Sequence, residues 1–238
     1  MTYFTPFDLL LLGLVFVALP TWSIAAARYY ARIARTGRSR STWYLLIAIR
    51  GAALAALVLI AWAKAARPLA GLGLDWPVGI PGRVGFALDT LIAGYYVMTF
   101  QFQKWSETRV ETTRARLRRL RTYDMLPSTP GEFATYPIAA IVASASEELL
   151  YRGYLVGLFA SAIGPVAAVL GSSVLFGVGH LYQGAMGVVR TCAIGLLFAT
   201  GLVFTHSLWW LVIAHAVANL SGVLLARRLL TPEPVSGK

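Results

Sequence analysis

The chain has 238 residues, of which 58% are hydrophobic and only 13% are charged. A soluble domain carries about twice that charged fraction, so the composition excludes an ordinary soluble protein and favours several membrane spans. The net charge of +11 would suit nucleic acid, but the arginines cluster between apolar runs, as membrane topology requires, so we predict no nucleic-acid partner. The single cysteine, Cys192, excludes an intrachain disulfide and a multi-cysteine metal site.

Apolar segments long enough to span a membrane follow one another along the chain, and we predict an all-α, polytopic membrane helical bundle of about seven transmembrane helices. The predicted spans are residues 7–27, 43–63, 84–103, 135–160, 165–184, 187–205 and 207–226. The first segment has no preceding Lys or Arg and is too long for a signal core, so we expect a retained span. Basic clusters after the first, third and seventh spans predict an N-terminus outside and a C-terminus in the cytoplasm.

The stretch between the third and fourth spans is strongly basic. Across residues 104–124, apolar side chains are spread among arginines at approximately helical spacing. This pattern fits a helix lying on the cytoplasmic membrane surface and attracting anionic headgroups, and it fits an ordinary solvated basic loop equally well.

Charged residues inside the apolar segments fall into two groups. Arg50, Asp89 and Arg190 lie toward predicted span ends, so for each we predict snorkelling to the headgroup layer or a structural pair. Glu147 and Glu148 lie deeper, about 12 residues and roughly 18 Å along the axis of the fourth span, where neither can reach water at the surface. A carboxylate embedded in this way indicates a functional site.

The two glutamates are expected to differ in role. Glu148 and Arg152 are i,i+4 neighbours on one helix face, so Arg152 should neutralise Glu148. Glu147 lies about 100° away around the axis, which makes it the freer carboxylate and a candidate general base. A purely structural Glu148–Arg152 pair would leave the second glutamate unexplained.

Two histidines follow on later spans, His180 on the fifth and His215 on the seventh. Asn219, the single asparagine of the chain, comes one helical turn after His215, so we expect both to point the same way and His215 to be the partner that the amide needs. The predicted boundaries place His180 nearer the cytoplasmic face than Glu147. Helix tilt or a longer fifth helix would close that gap.

Three short motifs on successive apolar segments carry a family resemblance. Residues 147–153 read EELLYRG, residues 176–180 read FGVGH, and residues 215–219 read HAVAN. In this order, over roughly residues 135–222, they resemble the CAAX protease and bacteriocin-processing (CPBP) family of intramembrane glutamic endopeptidases. Each motif alone is weak, whereas all three in order at membrane depth are a specific signal.

The resemblance implies a hydrolase that needs no cofactor and no metal. Glu147 and His180 would activate the attacking water, and His215 and Asn219 would stabilise the oxyanion. The motif arginine and the second glutamate would orient the site, and the motif phenylalanine would pack beside the histidine and contact substrate. The predicted site residues are therefore Glu147, Glu148, Arg152, Phe176, His180, His215 and Asn219.

The resemblance also implies a substrate, a location and a division of the chain. The substrate would be a membrane-anchored peptide or a prenylated protein C-terminus, and the protein would sit among lipids in the bacterial cytoplasmic membrane. Residues 1–134 would hold the N-terminal spans and the basic segment, 135–226 the catalytic core, and 227–238 a polar tail. The sequence does not indicate an oligomeric state.

Two other interpretations remain open. One is a zinc-dependent membrane metalloprotease, because one carboxylate and two histidines are plausible zinc ligands, although no HExxH motif is present. The other is a non-enzymatic immunity factor or scaffold, in which the polar side chains only hold helices together.

Overall fold

A computed structural model describes residues 4–76 and 78–230, and within these ranges the chain is helical and contains no strand. The predicted all-α membrane bundle is confirmed. The helices that are long and apolar enough to cross a membrane are Pro6–Ile33, Ser41–Lys64, Ala185–Thr205 and Trp209–Leu229. A count of seven spans stays a prediction, and the end of the predicted polar tail, residues 231–238, lies outside the described residues.

Every predicted apolar segment contains a helix. In chain order the helices are α1 (Pro6–Gly13), α2 (Leu19–Thr36), α3 (Ser41–Lys64), α4 (Ile80–Val97), α5 (Glu107–Arg118), α6 (Pro130–Glu148), α7 (Gly157–Ile163), α8 (Pro165–Val178), α9 (Ala185–Thr205) and α10 (Trp209–Leu230). Three π-helical stretches join α1 to α2, extend α4 and join α6 to α7: Leu14–Ala18, Met98–Phe102 and Leu149–Val156. The basic stretch contains α5, so its central part is helical.

Close packing at two glycines brings α3 against α6 and α8 against α9. α3 lies against α6, and a Cβ at Gly51 would come within 2.9 Å of the Ser146 hydroxyl oxygen. α8 lies against α9, where a Cβ at Gly177 would come within 3.1 Å of the Val188 carbonyl oxygen. Glycine at these two positions therefore permits helix separations that a larger residue would prevent.

A buried acid fastens the first helix to the rest of the bundle. The Asp8 side chain is fully buried and accepts hydrogen bonds from both terminal nitrogens of Arg67, each at 2.8 Å. The Tyr154 hydroxyl donates to the same carboxylate. Because Arg67 follows α3 and Tyr154 lies between α6 and α7, one carboxylate joins three parts of the chain.

The start of α6 is fixed in a similar way. Thr129 and Glu132 form a reciprocal capping box, and Pro130 occupies the first helical turn. Glu132 also accepts a hydrogen bond from the Arg40 backbone N–H at 2.8 Å and pairs with the Arg40 side chain at 3.2 Å. These contacts tie the helix that carries the two glutamates to the beginning of α3.

Candidate active site

The two adjacent glutamates lie at the end of α6, where the helix passes without a break into its π-helical stretch. Glu148 Oε1 accepts a hydrogen bond from Arg152 Nη1 at 3.0 Å, and both side chains are fully buried. The predicted pairing of these two residues is confirmed. The Arg152 guanidinium also lies 4.0 Å from the centroid of the Phe176 ring, a cation–π contact that packs the phenylalanine into the site.

Hydrogen bonds fix the orientation of both histidines. His215 Nδ1 lies 2.7 Å from Glu148 Oε1, and a carboxylate accepts, so Nδ1–H donates. His180 Nδ1 donates to the Phe176 carbonyl at 2.7 Å, since a carbonyl only accepts. The two Nε2 atoms therefore face Glu147 Oε2, at 3.7 Å from His180 and 3.9 Å from His215. One carboxylate oxygen and two imidazole nitrogens thus converge from three elements.

His180 reaches Glu147 because α8 is shorter than predicted. The helix ends at Val178, and His180 opens the turn before the short 3₁₀ helix Leu181–Gln183. The predicted extension of the fifth helix to residue 184 is therefore wrong. An early helix end, rather than a longer helix, brings the imidazole to the glutamate.

Asn219 has a different partner from the one predicted. Its Nδ2 donates to the Ser144 hydroxyl at 3.0 Å, whereas we expected a bond to His215. Ser144 in turn donates to the Ala140 carbonyl at 2.7 Å, so its oxygen can only accept from the amide. This sets the orientation of the amide and leaves its second N–H for a ligand. Serines in apolar helices commonly bond to their own backbone, so no sequence signal marked Ser144.

These side chains border a cavity of about 390 Å³, within the range of small-ligand sites. Glu147, His180, His215 and Asn219 all lie on its wall, which confirms that His215 and Asn219 point the same way. Residues from helices in both halves of the chain line the cavity, and its wall is largely apolar. Its aromatic members include Trp22, Tyr30, Trp43, Tyr44, Tyr136 and Tyr182. A mostly apolar cavity with a few converging polar groups is typical of a binding site.

The three charged residues that we predicted to snorkel or to form a structural pair differ from one another in the structure. Asp89 is only 3% exposed, and its Oδ2 has no hydrogen-bond partner, so the prediction of snorkelling is wrong for it. Arg190 is exposed and lies on the cavity wall. Arg50 turns inward from α3 and borders both the large cavity and a smaller pocket that it shares with Glu147. Sequence reasoning therefore missed Arg50 as a residue of the site.

Comparison with known protein families agrees with the three motifs. Residues 129–221 match the family model described as type II CAAX prenyl endopeptidase Rce1-like. The match runs from the N-cap of α6 into α10 and includes every predicted site residue. No curated protein and no solved structure was similar enough to provide a further relative. Residues 129–221 are therefore similar to the Rce1-like CAAX prenyl endopeptidase family, in a chain that has several helices long and apolar enough to cross a membrane.

Proposed function

We propose that this protein is a glutamate-dependent intramembrane endopeptidase in which Glu147 activates the attacking water. The observation that carries the proposal is the asymmetry between the two glutamates. Glu148 is fully buried and bonded to Arg152 and His215. Glu147 keeps 19% of its side chain exposed, lies on the cavity wall and faces two imidazole nitrogens. It is the carboxylate that a substrate can approach.

The spacing around Glu147 suits one bridging water. The distances of 3.7 and 3.9 Å exceed a direct hydrogen bond, and a water between such groups satisfies both sides. His180 carries its proton on Nδ1, so its Nε2 is free to accept from that water. Glu147 would take the proton while the water oxygen attacks the scissile carbonyl carbon.

The remaining side chains would stabilise the charge that develops on the carbonyl oxygen. Asn219 has one N–H left after its bond to Ser144. His215, whose Nδ1–H is held by Glu148, would donate from Nε2 when it is protonated. Collapse of the tetrahedral intermediate would break the C–N bond as Glu147 returns its proton to nitrogen, giving an amine and a carboxylic acid, which then loses its proton to water.

The cavity supports a substrate that is partly apolar. Its aromatic wall suits a membrane-anchored peptide or a prenylated protein C-terminus, held with the scissile bond beside Glu147. The basic clusters support an N-terminus outside and a C-terminus in the cytoplasm, and we propose the bacterial cytoplasmic membrane as the location.

The test is cleavage of a fluorogenic prenylated CAAX peptide and a panel of membrane-anchored peptides by purified protein in lipid. We expect turnover by the wild type and a loss of about 10²- to 10⁴-fold in kcat for Glu147→Gln, because a general base contributes that much. The variant should keep the wild-type melting temperature. Full activity of Glu147→Gln would refute the proposal, and no turnover of any peptide by folded wild type would favour the scaffold interpretation.

A chelator arm tests the zinc interpretation. Within residues 4–76 and 78–230, no group of three histidine, cysteine or acidic side chains is placed to hold a metal ion. We therefore expect activity to be unchanged by a chelator. Loss of activity that added Zn²⁺ restores would favour the metalloprotease instead.

A further inference from the structure

Arg50 is an arginine of the cavity wall that no motif includes. It lies on the face of α3 that also presents Trp43 and Ile47 to the cavity. It also borders a smaller pocket of about 30 Å³, whose wall includes Glu147 and His180. Arg50 is therefore a cation placed directly beside the proposed reaction centre.

The Arg50 guanidinium has no polar partner among the described residues. Its Nε is buried without a hydrogen bond, and it forms no ion pair within 4.0 Å. The guanidinium lies over the Trp22 ring, with Cζ 5.2 Å from the ring centroid. Two other inward-facing arginines have acidic partners, Arg67 with Asp8 and Arg152 with Glu148, although Nε and Nη2 of Arg152 are also buried without a hydrogen bond.

Arg50 is half-buried, and a guanidinium that faces a largely apolar cavity without an ion-pair partner is stabilised when a ligand supplies an anion. Its planar fork matches a carboxylate, which it binds through two parallel N–H···O bonds. We infer that Arg50 forms a carboxylate-binding subsite beside Glu147. The inference rests on the proposed function, since it concerns the same cavity.

Two carboxylates could reach this position in a peptidase. One is the carboxylate that hydrolysis creates next to Glu147, and the other is the free C-terminus of a substrate cut close to its end. Both have the same chemistry at Arg50. The experiment therefore uses a separate pair of ligands for each source.

The test is a binding measurement that needs no turnover, so its failure is distinguishable from failure of the proposed function. The first pair is N-acetyl-S-farnesylcysteine and its carboxamide, which stand for the product. The second is a farnesylated tetrapeptide, made non-cleavable by N-methylation of the scissile amide, as free acid and as C-terminal amide. Quenching of tryptophan fluorescence reports binding, because Trp22 and Trp43 lie on the cavity wall.

In the wild type we expect the acid of at least one pair to bind about tenfold or more tightly than its amide, as a charge-assisted bidentate contact requires. Arg50→Met should remove that difference without weakening the amide. The matched control is Arg190→Met, which removes an exposed arginine of the same cavity and should preserve the difference. The ligand pair whose acid binds more tightly than its amide identifies the source of the carboxylate.

Several results would overturn the inference. The wild type could bind acid and amide equally, or bind neither acid. The difference in affinity between acid and amide could also persist in Arg50→Met, or be lost equally in Arg190→Met. Should Arg50→Met fail to fold by size-exclusion chromatography, Arg50→Lys replaces it. Lysine keeps the charge but not the fork, so a reduced acid–amide ratio is expected, and an unchanged ratio would count against the subsite.

Discussion

Glu148 and His215 are joined across α6 and α10 by a contact of 2.7 Å between Oε1 and Nδ1. The same oxygen accepts a hydrogen bond from Arg152, so one fully buried carboxylate holds a guanidinium and an imidazole from two parts of the chain. Its neighbour Glu147 is left to face the cavity. Two adjacent residues of the same type therefore have different surroundings, because a helix turns them toward different neighbours.

The different surroundings of Glu147 and Glu148 predict different effects on stability when each is replaced. Glu148→Ala leaves the buried charge of Arg152 unpaired, so we expect the free energy of unfolding to fall by about 3–5 kcal/mol. Glu147→Ala removes a partly exposed carboxylate with no direct hydrogen bond and should leave the melting temperature close to that of the wild type. Thermal denaturation of both variants in the same detergent provides the comparison. Equal melting temperatures of the two variants would contradict a structural role for Glu148 that Glu147 does not share.

Ser144 is expected to act on catalysis through Asn219. Ser144→Ala removes the acceptor that orients the amide, so kcat should fall by roughly three- to tenfold, the value of one net hydrogen bond, with little change in KM. The control is Ser173→Ala, since Ser173 is also buried and bonds only to its own helix, at the Val169 carbonyl. Kinetics on the best peptide substrate measure both. A wild-type kcat for Ser144→Ala would show that the bond does not position the amide.

The lowered pKa of Glu132 predicts that the folded protein loses stability in acid. Burial raises the pKa of Glu132, but hydrogen bonds from the Arg40 and Ser128 backbone and the charge of Arg40 outweigh it, so the pKa is lowered in the folded protein. A lowered pKa stabilises the fold above the unfolded-state pKa, about 4.3, and that contribution disappears as the pH falls through the folded-state value.

The measurement for Glu132 is the melting temperature as a function of pH. The wild type should lose stability on acidification below about pH 4.3, and Glu132→Gln should be less stable at neutral pH with a shallower acid dependence. The matched control is Glu107→Gln, at the exposed start of α5. Parallel pH profiles for wild type and Glu132→Gln would disprove the assignment.

Asp8 should be a stability determinant far from the cavity. Asp8→Ala leaves Arg67 without its partner and Tyr154 without its acceptor, so we expect a loss of about 3 kcal/mol or more in unfolding free energy. Asp75→Ala, at an exposed position in the loop before α4, is the control and should change little. Chemical denaturation in mixed micelles distinguishes the two. An Asp8→Ala variant as stable as the control would mean that the first helix is held mainly by apolar packing.

The sequence by itself determined the features that depend on neighbours along one helix. The apolar segments each contain a helix because apolar length alone drives insertion and helix formation in lipid. The Glu148–Arg152 pair followed from its spacing, since residues four apart meet on a helix whatever surrounds it. The three motifs and their order predicted the family that residues 129–221 also match.

Only the tertiary structure decided which side chains meet across helices. Asn219 bonds to Ser144 rather than His215, and Arg50 turns into the cavity, because the rotation of each helix and the identity of its neighbour are set by packing of the whole bundle. The early end of α8 at Val178 brings His180 to Glu147, which apolar length could not reveal. Contacts between residues distant in sequence leave no periodic signal in a single chain, so the convergence on Glu147 appears only when the helices are packed together.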